Sequence, residues 1–235
     1  MSDNVRFVET HRQDNARFKD WKISILDNPS GTFSAQTEIV NLVIGEITTF
    51  TVKSFGCELD ESSNDGVYRH VVDASRLIVL HSDDEILGFA AEKSLGVKEI
   101  MYLHGVAVSD KAKGFGVGRT LIETLLTCSV KQHLAFTTQS PVMFCVARAL
   151  LNGKINPTPL KKLVTTELTE IGWRLIKERP GTFEPHEFVV RNLYGDCLYP
   201  QIPQSNDQLA NNWFSDSLRI DKGVTRDGFL FVGEF

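Results

Sequence analysis

The sequence predicts an α/β fold: a mixed, strongly twisted sheet of about six or seven strands with helices on both faces. Three observations lead there. Apolar runs at 76–81, 85–92 and 99–109 are separated by turn residues and read as a meander of strands. The third run leads through three alternating glycines into an amphipathic pattern. Another strand and helix follow directly, and this strand-helix-strand-helix order requires the two strands flanking the first helix to be parallel.

With 235 residues, the chain suits one domain over 1–235 whose core needs no disulfides. An apolar content of 42% with 23% charged residues describes a folded globular chain, not extended disorder. The net charge of −5 provides no global attraction to nucleic acid or anionic membrane, so any anion site must be local. The opening MSDNVRFVETHRQDNARFKDW lacks the apolar centre of a signal peptide, and no apolar run approaches a membrane span. The expectation is a cytoplasmic protein with no membrane or nucleic-acid partner. Cys57, Cys128, Cys145 and Cys197 are widely spaced, without CxxC or paired histidines, so reduced thiols and no metal site are expected. Neither HExxH nor GxxxxGK[ST] occurs, which removes the usual support for zinc hydrolases and P-loop NTPases.

Residues 1–33 form an arm or a first strand, Trp21 to Leu26, before the Asn28-Pro29-Ser30-Gly31 break. From Ser34, Ile39, Val40, Val43, Ile44 and Ile47 repeat at helical spacing. The stretch 55-FGCELDESSNDG-66 reads as an acidic loop, and Asp83 and Asp84 fit a hairpin turn. Past the glycine motif, Leu121, Ile122, Leu125 and Leu126 mark one helical face. A strand at 134–138 precedes Ser140-Pro141, an N-cap with proline at the first helical position, which opens a helix to Leu151. Residues 34–151 thus form the ligand-binding core. The remainder, 152–235, carries a helix from Leu160 to Ile176 weakened at Gly172 and strands at 187–193 and 228–235. An elaborated insertion with a helix near 211–218 lies between those strands.

The motif itself is 113-KGFGVGRTL-121. Alternating glycines before a helix let the backbone approach a ligand, since glycine has no Cβ and tolerates φ > 0. The helix end adds N–H groups and a positive dipole end suited to phosphate, and Lys111, Lys113 and Arg119 supply local positive charge. A dinucleotide fingerprint needs GxGxxG and a later acidic residue, whereas the spacing here is GxGxG.

The strand ending LHGVAVS, the turn KGFGVG and the helix, strand and helix that follow resemble the GNAT superfamily of acyl-CoA-dependent acyltransferases over residues 76–151. The family motif is Arg or Gln followed by x-x-G-x-G/A, with Lys113 in the leading position here. The resemblance implies acetyl-CoA as co-substrate and a GNAT-like sheet. It implies a coenzyme A contact surface of Val106, Ala107, Val108, Lys113, Gly114, Phe115, Gly116, Val117, Gly118, Arg119 and Thr120. The pyrophosphate would rest on the turn and the pantetheine arm along Val106 to Val108, with the Val106 N–H facing the thioester oxygen. The implied reaction is direct attack by an amine, in a ternary complex, on the acyl group. The acceptor is a small-molecule or protein amine, and the extra segments shape the acceptor side or a homodimer contact. The alternative is a non-catalytic acyl-CoA-binding module on the same fold.

Amine attack needs a base. Tyr102 and His104 lie on the long strand two residues apart, hence on one face, and His104 is the base candidate because imidazole titrates near neutral pH. Its replacement is then expected to reduce turnover more at pH 7 than at pH 9. Glu99 is the alternative base. The tyrosine that many family members place on the helix after the fifth strand is missing, with Phe144 and Cys145 in its place; Tyr194 and Tyr199 are the remaining phenols from which an acid could come.

Overall fold

The structure is a computed structural model that describes residues 5–8, 21–30, 37–55, 61–82, 85–160, 165–177, 179–194, 199, 201–221 and 225–235. The chain forms two compact units, Met1–Ser94 with Leu103–Ser129, and Leu95–Tyr102 with Val130–Phe235.

In the first unit, β1 (Val5–Val8), β2 (Lys22–Asp27), β3 (Arg76–His81) and β4 (Ile86–Lys93) pair antiparallel in sequence order. The distal part of β5 (Ile100–Val108) follows, and the Ser109 N–H donates to the Leu87 carbonyl at 2.9 Å. The expected meander is present, each strand within a residue of its apolar run. Successive residues on β4 point to opposite faces. Phe89 meets Phe50 of α1 (Thr37–Phe55) with ring centroids 6.0 Å apart, whereas Gly88 faces Leu121 and Val117 of α3 (Val117–Cys128). Helices therefore cover both faces. Arg76 at the start of β3 bonds Asp27 at 2.6 Å and donates to the last-turn carbonyl of Cys128 at 2.8 Å, clamping the C-terminal end of α3.

One expectation is overturned in this unit. Part of the stretch read as an acidic loop is helical: α2 spans Glu61–Val72. Its buried face is narrow, Val67 and Val71 at i,i+4 spacing, packed with Ile44, Ile47, Leu77, Val79 and Phe89. Tertiary burial of two valines outweighs a polar composition that favours a loop. The helix expected from Ser34 is present over Thr37–Phe55, and residues 34–36 lie outside the described set. Asp83 and Asp84 lie outside the described residues, although Ser82 N–H to Glu85 O at 2.9 Å closes the turn around them.

In the second unit, the Glu99 carbonyl accepts from the amides of Gln132 at 3.2 Å and His133 at 3.1 Å, and the Tyr102 hydroxyl lies 3.0 Å from Thr137 Oγ1. Both chains advance together, so β5 starts parallel to β6 (His133–Thr138), as the strand-helix-strand order required. Antiparallel to β6 runs β10 (Gly228–Glu234), which also pairs with β7 (Ile155–Asn156) and β9 (Val189–Arg191); β8 (Thr182–Glu184) pairs with β9. The sheet class is as expected, but among the described residues its strands number ten instead of six or seven. The additions are short: β7, β8 and β9 owe their existence to hydrogen bonds with neighbours and carry too few residues for alternation to reveal.

Ser140 caps α4 (Pro141–Leu150), its Oγ accepting from the Met143 N–H at 3.3 Å. Phe144 then enters an aromatic cluster with Phe136, Phe231 and, from α6 (Gln208–Ser217), Trp213 and Phe214. Thr165 caps α5 (Thr166–Ile176), accepting from the Leu168 N–H at 3.2 Å, so that helix opens later than Leu160; residues 161–164 lie outside the described set. Gly172 is less a weak point than a seat for Phe183, whose ring occupies the space a Cβ would need. Among the described residues no helix is long and apolar enough to cross a membrane.

Arg191, buried on β9, binds Glu184 at 2.7 Å, Glu187 at 2.9 Å and Asp227 at 2.8 Å, and donates to the Ser217 carbonyl at 2.7 Å. Its loss would strand a largely buried Asp227 carboxylate. Arg191→Met is expected to cost about 3 kcal/mol in urea unfolding; a loss under about 1 kcal/mol would show that the network is only surface pairing.

Candidate active site

The chain leaves β5 at Ser109 and makes one 3-10 turn, Asp110–Ala112, with Ala112 fully buried and its N–H on the Ser109 carbonyl at 2.9 Å. Gly114 and Gly116 then adopt φ of 81° and 77°. Only glycine takes these values without strain. Gly116 is the N-cap of α3, and the helix ladder starts with Thr120 N–H to Gly116 O at 3.0 Å. The N–H groups of Val117, Gly118 and Arg119 precede that ladder, and no acidic residue occupies the first turn. A Cβ built on Gly114 would meet nothing within 4 Å among the described residues, so space is open over that glycine. Backbone donors, the positive dipole end and free approach fit a pyrophosphate. These residues suit the turn's expected ligand.

The side-chain charges contribute less than their count suggested. Lys111 pairs with Glu85 at 2.6 Å, Lys113 with Asp110 at 2.6 Å and Arg119 with Glu123 at 2.9 Å. These pairs are solvent-exposed, hence weak, and can exchange their carboxylates for a phosphate. A Cβ built on Gly118 would lie 3.5 Å from Val108 Cγ2, so the end of β5 runs beside the first turn of α3. Beside the turn on the α1 side is a cleft of about 640 Å³, lined by Glu46, Phe50, Lys53, Ile86, Ser109 and Lys111. Its volume is that of a small-molecule site.

His104 stacks on His70 of α2, ring centroids 4.2 Å apart and planes 9° from parallel. Gly105 makes this possible, since a Cβ there would come within 3.0 Å of His70 Cδ2. Burial first, then the positive fields of His70 and Lys93, lower the His104 pKa from 6.5 to about 3. The imidazole is therefore neutral at physiological pH, and the expectation that it titrates near neutrality is corrected. Sequence reading missed His70 because the helix that carries it was itself missed.

Tyr102 is almost fully buried, with its hydroxyl on Thr137 of β6 and the Arg179 guanidinium 5.4 Å from its ring centroid. Tyr194 reaches the same threonine, and burial raises its pKa despite opposing effects from Arg179 and that hydrogen bond. Tyr199 is raised by burial and by Tyr194. Sequence could not place these two phenols; both neighbour the end of β6. Phe144 and Cys145 stand where a helix tyrosine would, Phe144 in the aromatic core and Cys145 as a half-buried thiol. Among the described residues no group of three or more metal-ligating side chains is placed to hold an ion.

The neutrality of His104 has a measurable sign. Its folded pKa lies below the unfolded value, so the unfolded state binds more protons and stability falls as pH drops from about 6.5 toward 3. His104→Phe, which keeps a ring on His70, is expected to flatten the acid limb by close to one proton, about 1.4 kcal/mol per pH unit. Equal slopes for both proteins in urea titrations across that range would contradict it.

Comparison with known proteins adds a partial family match. Residues 46–141 match the family model described as Acetyltransferase (GNAT) family. Among solved structures, the chain is similar to the ribosomal-protein-S18-alanine N-acetyltransferase from Escherichia coli, at 12% identity over 91% of this chain and 93% of that one, TM-score 0.48. It is similar also to an IAA acetyltransferase from Bacillus cereus, at 11% identity over 91% and 99% of the chains, TM-score 0.45. A third is a diaminobutyrate acetyltransferase from Paenibacillus lautus in complex with L-2,4-diaminobutyric acid and coenzyme A, at 15% identity over 90% and 94%, TM-score 0.42. No curated protein sequence matches the chain. The matched residues take in β4, β5, the glycine turn, α3 and β6. Through residues 46–141, less than half of its length, the chain is similar to the acetyltransferase (GNAT) family.

Proposed function

We propose that this protein moves an acetyl group from acetyl-CoA to an amine by direct attack in a ternary complex. The observation that carries the reading is the Gly114–Gly116 turn, which leaves the first-turn amides of α3 exposed to a diphosphate. Val106 to Val108, Lys113 and the backbone from Gly114 to Thr120 make up the donor surface. Bound there, acetyl-CoA supplies the activated acyl group. The chain's own residues orient it and handle two protons, one leaving the amine and one reaching the departing sulfur.

His104 stays neutral over the working pH range, so it relays a proton by switching tautomer against a neighbour, instead of storing one. Burial keeps the phenol of Tyr194 protonated. Tyr102 orders the same hydroxyl set through Thr137.

Gly116→Glu places bulk and negative charge at the turn and is expected to weaken acetyl-CoA binding by about 100-fold, or 2.7 kcal/mol, in calorimetry; equal affinity for both proteins would remove the assignment. Free-thiol release with an amine panel tests the chemistry, and tight acetyl-CoA binding without release of thiol for any amine would leave a binding module. His104→Phe is expected to lower turnover by the same factor at pH 7 and pH 9, because no His104 ionisation falls between them; a loss confined to pH 7 would contradict that.

A further inference from the structure

The cleft beside the glycine turn is lined wholly by the first unit, and its volume of about 640 Å³ is that of a small-molecule site. Side chains on β5 alternate between the two faces of the sheet. Ala107 belongs to the core cluster with Ile44 and Ile47 of α1, so Ser109, two residues on and still extended at φ −62° and ψ 152°, turns to the same side. There the apolar core ends and the cleft begins. Ser109 lines it, is only 9% exposed, and its Oγ makes no hydrogen bond among the described residues. Phe50, half-buried beside Phe89, and Ile86 supply an apolar wall. Three carboxylates, those of Glu46, Glu85 and Asp110, line the cleft against two ammonium groups, those of Lys53 and Lys111. An aromatic ring, an unused hydroxyl oxygen and an excess of carboxylate suit an organic cation. The ring attracts positive charge, the oxygen accepts an N–H, and the carboxylate neutralises the ion.

Lys111 stands between this cleft and the phosphate turn. It lines the cleft, yet it also belongs to the 3-10 turn Asp110–Ala112 that leads directly to Gly114. Its ammonium group is held by Glu85 at 2.6 Å. A diphosphate on the turn and the Glu85 carboxylate therefore compete for one cation. An ammonium ion in the cleft gives Glu85 a replacement partner and releases Lys111 to the diphosphate. Asp110 is the less ready partner, since Lys113 already holds it at 2.6 Å. The side chains of Glu85 and Lys111 are 41% and 73% exposed, so their exchange costs little and the effect it transmits is correspondingly small. The exchange also leaves the hairpin intact, because the backbone of Glu85 closes that turn. Its carbonyl accepts from the Ser82 N–H at 2.9 Å, and its N–H donates to Ser82 Oγ at 3.3 Å.

We propose that this cleft binds an organic ammonium ion with an apolar body, that Glu85 turns from Lys111 to the ligand, and that the released Lys111 strengthens the hold of the turn on coenzyme A. By linkage, each ligand then raises the affinity of the other by the same factor. The coupling rests on the donor surface proposed above; the ammonium site does not.

Phenethylamine, 2-phenylethanol and phenylacetate share one apolar body and differ in charge. Each is titrated calorimetrically into the protein, and coenzyme A is titrated with and without saturating phenethylamine. The amine should bind roughly tenfold or more tightly than the alcohol or the acid, and it should raise the affinity for coenzyme A by about threefold. Glu85→Gln should lose most of the preference for the amine. Without any amine, the same variant should already bind coenzyme A about threefold more tightly than wild type, because its Lys111 is released from the start. Lys111→Met should keep the amine and lose the coupling. No preference for the amine in wild type, a preference that survives Glu85→Gln, or a coupling that survives Lys111→Met would overturn the proposal. If coenzyme A does not bind, the donor surface fails, and the titrations of amine and alcohol alone decide the cleft: a preference for the amine that Glu85→Gln removes supports the ammonium site, and equal or absent binding sinks it.

Discussion

The left-handed backbone at Gly114 and Gly116 is the constraint on which the site depends. An L-residue with a Cβ would pay roughly 1–2 kcal/mol at each position. With glycine, the chain turns within a few residues from the end of β5 into α3, and the helix starts with its amides unobstructed. The helix cannot drift from that posture. Val117, Leu121 and Leu125 are buried along it, the first two against Gly88 of β4, and Arg76 grips its last turn through the Cys128 carbonyl. A helix held at both ends presents a fixed row of donors, and a fixed row is what makes a dipole useful for binding.

A second rule, that burial penalises the charged form of any group, sorts the titratable side chains. It makes His104 neutral beside His70 and keeps Tyr194 a phenol. Charge at the surface behaves differently: Lys111, Lys113 and Arg119 are each matched by a carboxylate in solvent, where pairing is cheap to make and to exchange.

The sequence was most legible where a signal is both local and redundant. Strands β3 to β6 are apolar runs bounded by turn residues, and α4 carries its cap and proline at its start, so their ends fall within a residue or so of expectation. The glycine turn could be read for the same reason, as each glycine has a backbone duty. Where the signal is tertiary, reading failed. Helix α2 looks like a loop because its order rests on tertiary burial of residues such as Val67 and Val71, and the short strands β7 and β9 exist through pairing with β10 far along the chain. His104 was found, but its partner His70 and hence its neutrality were not. Arg179 meets Tyr102 across seventy-seven positions of sequence, and no local pattern announces such a meeting.

The central claim is that the backbone of this turn holds the donor. Amide hydrogen exchange with and without saturating acetyl-CoA measures it directly. Slowed exchange concentrated in the peptides covering Gly114 to Thr120 is the predicted result. Binding of acetyl-CoA with unchanged exchange in those peptides, and protection elsewhere, would contradict the account.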